Sequence, residues 1–104
     1  MSILSITFHI VEDRIEEWDL YVENDLHQMI ENLIDVEKYI LSEIHSDMVN
    51  EGKNTNLFLL FDNDEIRDQF MESELVNIEE RILQTFGQEV MVFPTFLNPK
   101  KKRF

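Results

Sequence analysis

The feature that most constrains the fold is the way in which the spacing of apolar residues changes along the chain. Over residues 4–11, large apolar residues alternate with Ser5, Thr7 and His9, and a period of two residues is typical of a strand with one apolar face. The next apolar residues recur every three or four positions, which predicts a helix of about five turns. This helical stripe consists of Ile15, Trp18, Val22, Leu26, Met29 and Leu33.

The rest of the chain divides into four further elements. Residues 37–45 predict a second strand, and residues 57–61 predict a third strand that is apolar on both faces. The intervening residues 46–56 contain Asn50, Gly52, Asn54 and Asn56 and few apolar residues, so they predict a loop. A second helix follows, with a slip in its apolar spacing that predicts a break near Ser73 and Glu74. Residues 90–93 predict a fourth strand, which Pro94 stops or bulges.

Polar residues and one glycine predict where the helices begin and end. Asp13 with Glu16 fits an N-cap pair, because such side chains accept hydrogen bonds from free amides at a helix start. The Asp-Asn-Asp segment 62–64 offers the same chemistry before a second helix beginning near Glu65. Gly87 suits the left-handed conformation of a helix C-cap.

The resulting order βαββαβ is that of the α+β ferredoxin-like fold. It predicts a four-stranded antiparallel sheet in the order 4-1-3-2, with two helices on one face. Pro94 agrees with an edge position for strand four, because proline donates no backbone hydrogen bond. At 104 residues the chain suits a single domain; we assign residues 1–99 to it and residues 100–104 to a basic C-terminal tail.

Two helices cover only one face of such a sheet, so the other face should be polar or covered by another molecule. Strands three and four are apolar on both faces. We therefore expect a dimeric α/β barrel in which two copies of the chain pack sheet against sheet, since two-fold homodimers are the commonest closed assemblies. The predicted dimer interface contains Phe58, Leu60, Met91 and Phe93.

Composition excludes several classes of function. The chain has 22 acidic and 9 basic residues and a formal net charge of −13, which disfavours nucleic acid and anionic membrane as partners. It has no cysteine and only two glycines, which excludes a thiolate metal site and glycine-rich cofactor loops. We expect no cofactor and no metal. The N-terminal residues lack the basic head and apolar core of a signal peptide, which indicates a cytoplasmic protein.

His9 is the candidate catalytic residue, because it lies on the polar side of strand one with Thr7. A histidine in a partly apolar pocket can act as a general base, and Thr7, Trp18 and Tyr39 are the predicted pocket-lining residues. The alternative is that His9 is simply hydrogen-bonded within the interface, as most buried polar groups are. Another histidine, His27, has Glu23 and Glu31 one turn away, but a solvated helix face explains that group better than a metal site does.

Two local features accompany this order of elements: a tryptophan early in the first helix, Trp18, and a Phe-Gly pair before the last strand in residues 84–93, Gln-Thr-Phe-Gly-Gln-Glu-Val-Met-Val-Phe. With these features the chain resembles a family of small bacterial proteins described as a domain of unknown function. That family is placed with the dimeric α/β-barrel superfamily, which includes the antibiotic-biosynthesis monooxygenases. The resemblance implies the fold and the dimer, and it implies no catalytic residues.

Two functions stay open at this point. The first is a small acidic homodimer that serves as a ligand- or protein-binding or structural module, with a small molecule as a second partner. The alternative is a cofactor-independent enzyme of the monooxygenase or isomerase kind that uses the barrel cavity, with His9 as its base. The basic tail, Lys100 to Arg103, either docks on an acidic partner or phosphate or folds back on the acidic surface of its own chain.

Overall fold

The computed structural model describes residues 1–45 and 51–103, which form a sheet of four strands with helices on one face. Its strands are β1 (Ser2–Ile10), β2 (Lys38–Ile44), β3 (Lys53–Phe61) and β4 (Val90–Leu97). Its α-helices are α1 (Ile15–Tyr21), α2 (His27–Glu31), α3 (Asp64–Glu72) and α4 (Glu74–Phe86). Short 3-10 helices, Glu12–Arg14 and Gly87–Glu89, precede α1 and follow α4, and the π-helical segment Val22–Leu26 joins α1 to α2. Within the described ranges no helix is long and apolar enough to cross a membrane.

The sheet has the order β2-β3-β1-β4, and all of its neighbouring strands are antiparallel. The predicted ferredoxin-like fold and the predicted strand order are therefore confirmed. The register aligns side chains of the four strands into two faces, because alternate residues of a strand point in opposite directions. We call the face without helices the open face; its strand residues are Ile3, Ser5, Thr7, His9, Lys38, Ile40, Ser42, Ile44, Asn54, Asn56, Phe58, Leu60, Met91, Phe93, Thr95 and Leu97.

The core lies between the other face of the sheet and the helices. Trp18 is at its centre: its indole stacks on Tyr21 and meets Phe8 and Phe86, with ring centroids 5.2–5.8 Å apart in this cluster. Burying a large apolar side chain contributes about 1.5–3 kcal/mol, so this layer accounts for much of the stability of the fold. Its fully buried residues include Leu4, Ile6, Phe8, Ile10, Trp18, Leu26, Leu57, Leu59 and Phe61.

The predicted helix signals of the second half of the chain are confirmed. Asn63 caps α3, since its side-chain oxygen accepts a hydrogen bond of 2.9 Å from the amide of Ile66. The break falls at Ser73, whose φ of −123° and ψ of −76° are not helical. Gly87 ends α4 with φ +62°, a conformation that favours glycine.

The prediction that Asp13 caps the first helix is wrong. The helical segment begins one residue earlier, at Glu12, and no side chain caps it. Long-range contacts fix this segment instead. The Glu12 carboxylate accepts a hydrogen bond from the amide of Gly52, and the Arg14 guanidinium donates to Glu17 and Glu89.

Two strand boundaries also differ from the prediction. Strand β3 begins at Lys53, so residues 53–56 of the predicted loop belong to the strand. Of the rest of that loop, residues 51 and 52 precede β3, and residues 46–50 lie outside the described residues. The polar residues 53–56 belong to β3 because Lys53 pairs with Asp19 and Glu43, while Thr55 packs against Trp18. Pro94 does not stop β4, which continues to Leu97. An edge strand has backbone amides that need no partner within the sheet, so a residue without an amide hydrogen fits there. The division of the chain at residue 99 stays a prediction.

The Trp18–Thr55 contact provides a test of this core. The Trp18 indole nitrogen donates a buried hydrogen bond of 3.0 Å to the Thr55 hydroxyl. Thr55→Val removes the acceptor and keeps the shape, so we expect the free energy of unfolding to fall by about 1–3 kcal/mol. Urea denaturation followed by the fluorescence of Trp18 measures it. Thr85→Val, which removes an exposed hydroxyl from α4, is the control; an equal effect of both changes would contradict the structure.

Candidate functional site

Five polar side chains lie next to one another on the open face, and we call them the polar cluster. It consists of Ser5, Thr7 and His9 on β1 and of Asn54 and Asn56 on β3. The register places Thr7 opposite Asn56 and His9 opposite Asn54. The Asn56 amide nitrogen donates to the Ser5 hydroxyl at 2.8 Å and lies 3.4 Å from the Thr7 hydroxyl. All five residues are half-buried in the single chain.

His9 is held in one orientation by Asn54. Its Nδ1 lies 2.6 Å from the Asn54 carboxamide oxygen, which only accepts hydrogen bonds, so Nδ1 carries the hydrogen. In the neutral ring Nε2 is then a free acceptor. Gly52, with φ +84°, passes beside the ring, and a Cβ there would collide with the Ile10 carbonyl oxygen and lie 3.0 Å from His9 Cε1. A glycine at this position therefore lets the chain approach the imidazole closely.

A small cavity next to His9 has a different character from the rest of the open face. Its volume is about 260 Å³, and it lies where β1 passes into the helical segment. It is acidic, because its lining consists of His9, Val11, Glu12, Asp13 and Glu51. These carboxylates lie at the end of the polar cluster beyond His9, and Glu37, just before β2, borders the open face at its opposite end. The strand residues around Ser5 and Thr7 include no carboxylate.

Apolar side chains surround the polar cluster. On the edge strands Ile40, Met91 and Phe93 are 59%, 46% and 50% exposed, and on β3 Phe58 and Leu60 are half-buried. At one end of the open face Ile40, Phe58 and Leu60 form a mainly apolar depression of about 560 Å³. Its other lining residues are Ile3, Tyr39 and, at the rim, the charged residues Glu37 and Lys38. Phe58 lies opposite Ser5 in the register, so the apolar depression adjoins the polar cluster.

The predicted pocket residues do not all come together. Thr7 and His9 share the open face, as predicted, but Trp18 is fully buried on the helix side and belongs to the core. Tyr39 also turns its ring to the helix side, where it packs against the core and donates a hydrogen bond to Glu31. In the register of the sheet Tyr39 lies opposite Leu59 of the buried face, so its side chain points to the helix side.

Sequence reasoning missed Asn54 and Asn56. They fall in the segment that was predicted as a loop, although their spacing continues the two-residue period of Phe58 and Leu60. The other histidines lie away from this cluster. His27 Nε2 is 3.3 Å from a Glu31 carboxylate oxygen on the helix surface, and His45 is exposed beyond the end of β2. No group of three metal-binding side chains with suitable geometry occurs within residues 1–45 and 51–103.

The strand order and the uncovered face define a protein with the ferredoxin-like fold. The chain belongs to the family described as a domain of unknown function, DUF4286, whose model matches residues 1–100. The family resemblance inferred from the sequence is therefore confirmed. No curated protein matches the chain significantly.

Solved structures share the fold at low sequence identity. A monooxygenase of Streptomyces coelicolor in complex with nanaomycin D has a TM-score of 0.60 and 8% identity, covering 99% of this chain and 91% of that one. A dimeric ferredoxin-like protein from an uncultured marine organism has a TM-score of 0.56 and 10% identity, covering 98% of each chain. A dimeric ferredoxin-like protein of unknown function from Thermobifida fusca has a TM-score of 0.56 and 11% identity, covering 93% and 92%. These similarities establish the fold alone.

The Tyr39–Glu31 hydrogen bond on the helix side gives a prediction about pH. It is the main cause that lowers the pKa of the Glu31 carboxyl and raises the pKa of the Tyr39 hydroxyl. In Tyr39→Phe the pKa of Glu31 should rise toward its ordinary value, as carboxyl NMR titration will show. A carboxyl whose pKa is lower in the folded than in the unfolded protein stabilises the fold above the unfolded pKa, and this stabilisation is lost as pH falls through the folded pKa. Because Tyr39→Phe removes the main cause of the lowering, the variant should lose less stability than the wild type over that pH range.

A second tyrosine variant controls for the loss of a hydroxyl. Tyr21→Phe removes a hydroxyl whose pKa is raised chiefly by burial and which lies in the core near Asp25. It should leave the pKa of Glu31 unchanged. If Tyr39→Phe and Tyr21→Phe give the same Glu31 titration curve, the assigned hydrogen bond does not form in solution.

Proposed function

We propose that the chain is a homodimeric binding module of the cytoplasm whose two copies pack through their open faces. The observation that carries this proposal is the set of large apolar side chains left half-exposed there, above all Ile40, Met91 and Phe93. Large exposed apolar patches are typical of interaction sites. Covering apolar surface contributes about 25 cal/mol per Å² before the costs of association.

The distribution of charge favours a second copy as the partner. Two chains with a formal net charge of −13 repel each other wherever their carboxylates meet. The strand residues of the open face include no carboxylate, whereas Asp19, Glu31 and Glu43 lie on the helix side. Carboxylates border this face at its two ends, with Glu37 at one end and Glu12, Asp13 and Glu51 at the other, so the middle of two open faces can approach without contact between carboxylates. The solved neighbours described as dimeric proteins add support for self-association through this fold.

The proposed binding role follows from what the dimer would enclose. A second sheet packed on the open face covers the polar cluster and the apolar depression beside it. Buried polar groups need hydrogen-bond partners, and two polar clusters facing each other leave a space in which a small molecule can supply them. In this proposal the second copy is the first partner and a small molecule is the second.

Substituting an exposed isoleucine on the open face tests the dimer. Ile40→Asp places a carboxylate at a position that is 59% exposed in the single chain, so the fold should tolerate it, while the dimer would have to desolvate it. We expect the wild type to have the mass of two chains by light scattering at micromolar concentration, and Ile40→Asp to have the mass of one.

Ile34→Asp is the matched control for that experiment. Ile34 is 94% exposed in the segment before β2, outside the open face, and the same change there should leave the dimer intact. Circular dichroism confirms that both variants are folded. A wild type that is monomeric at micromolar concentration would refute the proposed assembly, and so would an Ile40→Asp variant that stays dimeric.

An isomerase-like enzyme is the second candidate function. The geometry that favours it is the His9–Asn54 contact, which orients the imidazole and leaves Nε2 free to accept a proton. In such a reaction His9 would take a proton from a carbon next to a carbonyl group and return it to another carbon of the same molecule.

Deuterium exchange tests this second function without knowledge of the substrate. In heavy water the wild type should accelerate exchange at the carbon next to the carbonyl of 1-tetralone, followed by proton NMR. His9→Gln should lose that acceleration by about 100-fold or more, because glutamine cannot act as a general base. The control is His27→Gln on the exposed helix surface, which should exchange like the wild type. Equal exchange rates for the wild type and His9→Gln would show that His9 is not a catalytic base.

A further inference from the structure

The open face has an unusual arrangement for a surface that is covered by a second copy. Protein interfaces commonly have an apolar centre and a polar rim. Here the two central strands, β1 and β3, carry the polar cluster over one part of their length and Ile3, Phe58 and Leu60 over the other, while the edge strands carry further apolar residues beside the cluster. These edge residues are Ile40 and Ile44 on β2 and Met91, Phe93 and Leu97 on β4. A polar centre inside an apolar border is the arrangement of an enclosed ligand site rather than of a simple contact surface.

Several donors and acceptors of the polar cluster have no partner within the described residues. They are the Asn56 carboxamide oxygen, the Asn54 amide nitrogen, the Thr7 hydroxyl hydrogen and His9 Nε2. In the single chain, water can satisfy them because the residues are half-exposed. Under a second sheet each unpaired group would cost free energy, unless something in the enclosed space forms hydrogen bonds with it.

The charges around the cluster exclude an ion as the preferred occupant. Among the strand residues of the open face, the only permanently charged side chain is Lys38, which lies opposite Leu60 at the far end from His9. Lys38 and Glu37 line the far end of the depression, and the row of Ile40, Phe58 and Ser5 separates them from Thr7 and Asn56. The carboxylates of Glu12, Asp13 and Glu51 lie beyond His9, at the end of β1. An anion or cation at Thr7 and Asn56 would thus lose its hydration without a counter-charge in contact.

We propose that the open face binds an uncharged amphipathic molecule, with its apolar body in the depression lined by Ile3, Ile40, Phe58 and Leu60 and its polar oxygen at Thr7 and Asn56. This inference rests on the proposed homodimer, because the depression and the cluster are open on one side until a second copy covers them. The volume of about 560 Å³ accommodates one or two fused rings or a chain of similar size. Asn56 and Thr7 between them offer the ligand both a donor and an acceptor.

Three naphthalene compounds of matched shape test the charge of the ligand. The neutral probe is 1-naphthalenemethanol, the anionic probe is 1-naphthoate and the cationic probe is 1-naphthalenemethylammonium. We expect titration calorimetry on the wild-type dimer to detect the neutral probe, and the two ions to bind at least about tenfold more weakly. Binding of either ion as tight as that of the alcohol would overturn the proposal, and so would no detectable binding of the alcohol up to millimolar concentration.

Two variants test the position of the site. Thr7→Val keeps the shape of the side chain and removes its hydroxyl, so the alcohol should bind about fivefold more weakly. Thr85→Val removes an exposed hydroxyl from α4 and should have no effect. If the two variants bind the alcohol equally well, the molecule occupies another site and the assignment is wrong.

The oligomeric state separates this inference from the proposed function. A wild type that is dimeric but binds none of the probes refutes the ligand class and leaves the homodimer in place. A monomeric wild type refutes the homodimer itself. Because Ile40 lines the depression, the monomer for this test carries Met91→Asp, at a 46% exposed position of the open face outside the depression. If monomeric Met91→Asp binds the alcohol as tightly as the wild-type dimer does, the second copy contributes nothing to the site, and the proposed chamber is wrong.

Discussion

The whole molecule depends on the alternation of side chains along β1 and β3, the two central strands. One set of residues, with Leu4 and Leu59 at its centre, is completely buried under the helices, while the other set faces away from them. Because a shift of one residue in either strand would exchange the two faces, the apolar set fixes the register of the sheet. It also fixes which residues the helices cannot cover. The position of His9 on the open face is therefore a consequence of the core and not an independent feature.

Local signals were sufficient to predict most of the fold. The two-residue period of β1, the cap at Asn63 and the break at Ser73 all act within a few residues, and each was found where the sequence placed it. The errors arose where distant residues decide the outcome. The polar start of β3 is extended because Lys53 pairs with Asp19, and burial there would lower the pKa of Lys53 if its hydrogen bonds to Asp19 and Glu43 did not raise it. Neither partner is a sequence neighbour, so no local pattern could reveal this boundary.

Site residues were placed correctly only where the residue type and the position in the strand alternation both indicated the open face. Thr7 and His9 were placed together because both follow the alternation of β1. Trp18 and Tyr39 were added for their aromatic character, but their faces are set by tertiary packing: the indole of Trp18 finds its acceptor on Thr55, and the hydroxyl of Tyr39 finds Glu31. Asn54 was left out of the predicted site, because asparagine is typical of loops and the segment was predicted as one. Only the register of β1 with β3 reveals that it holds the His9 imidazole.

Dimerisation and ligand binding on the open face are thermodynamically linked if both take place there. Covering Ile40 and Phe93 favours association, whereas desolvating the polar cluster opposes it, so an empty dimer gains only the difference between the two terms. A molecule that satisfies Thr7 and Asn56 removes the opposing term and binds only the closed assembly. By mass action it must then shift the equilibrium toward the dimer. The same polar residues that weaken the interface of the empty protein would in this way make its assembly respond to the ligand.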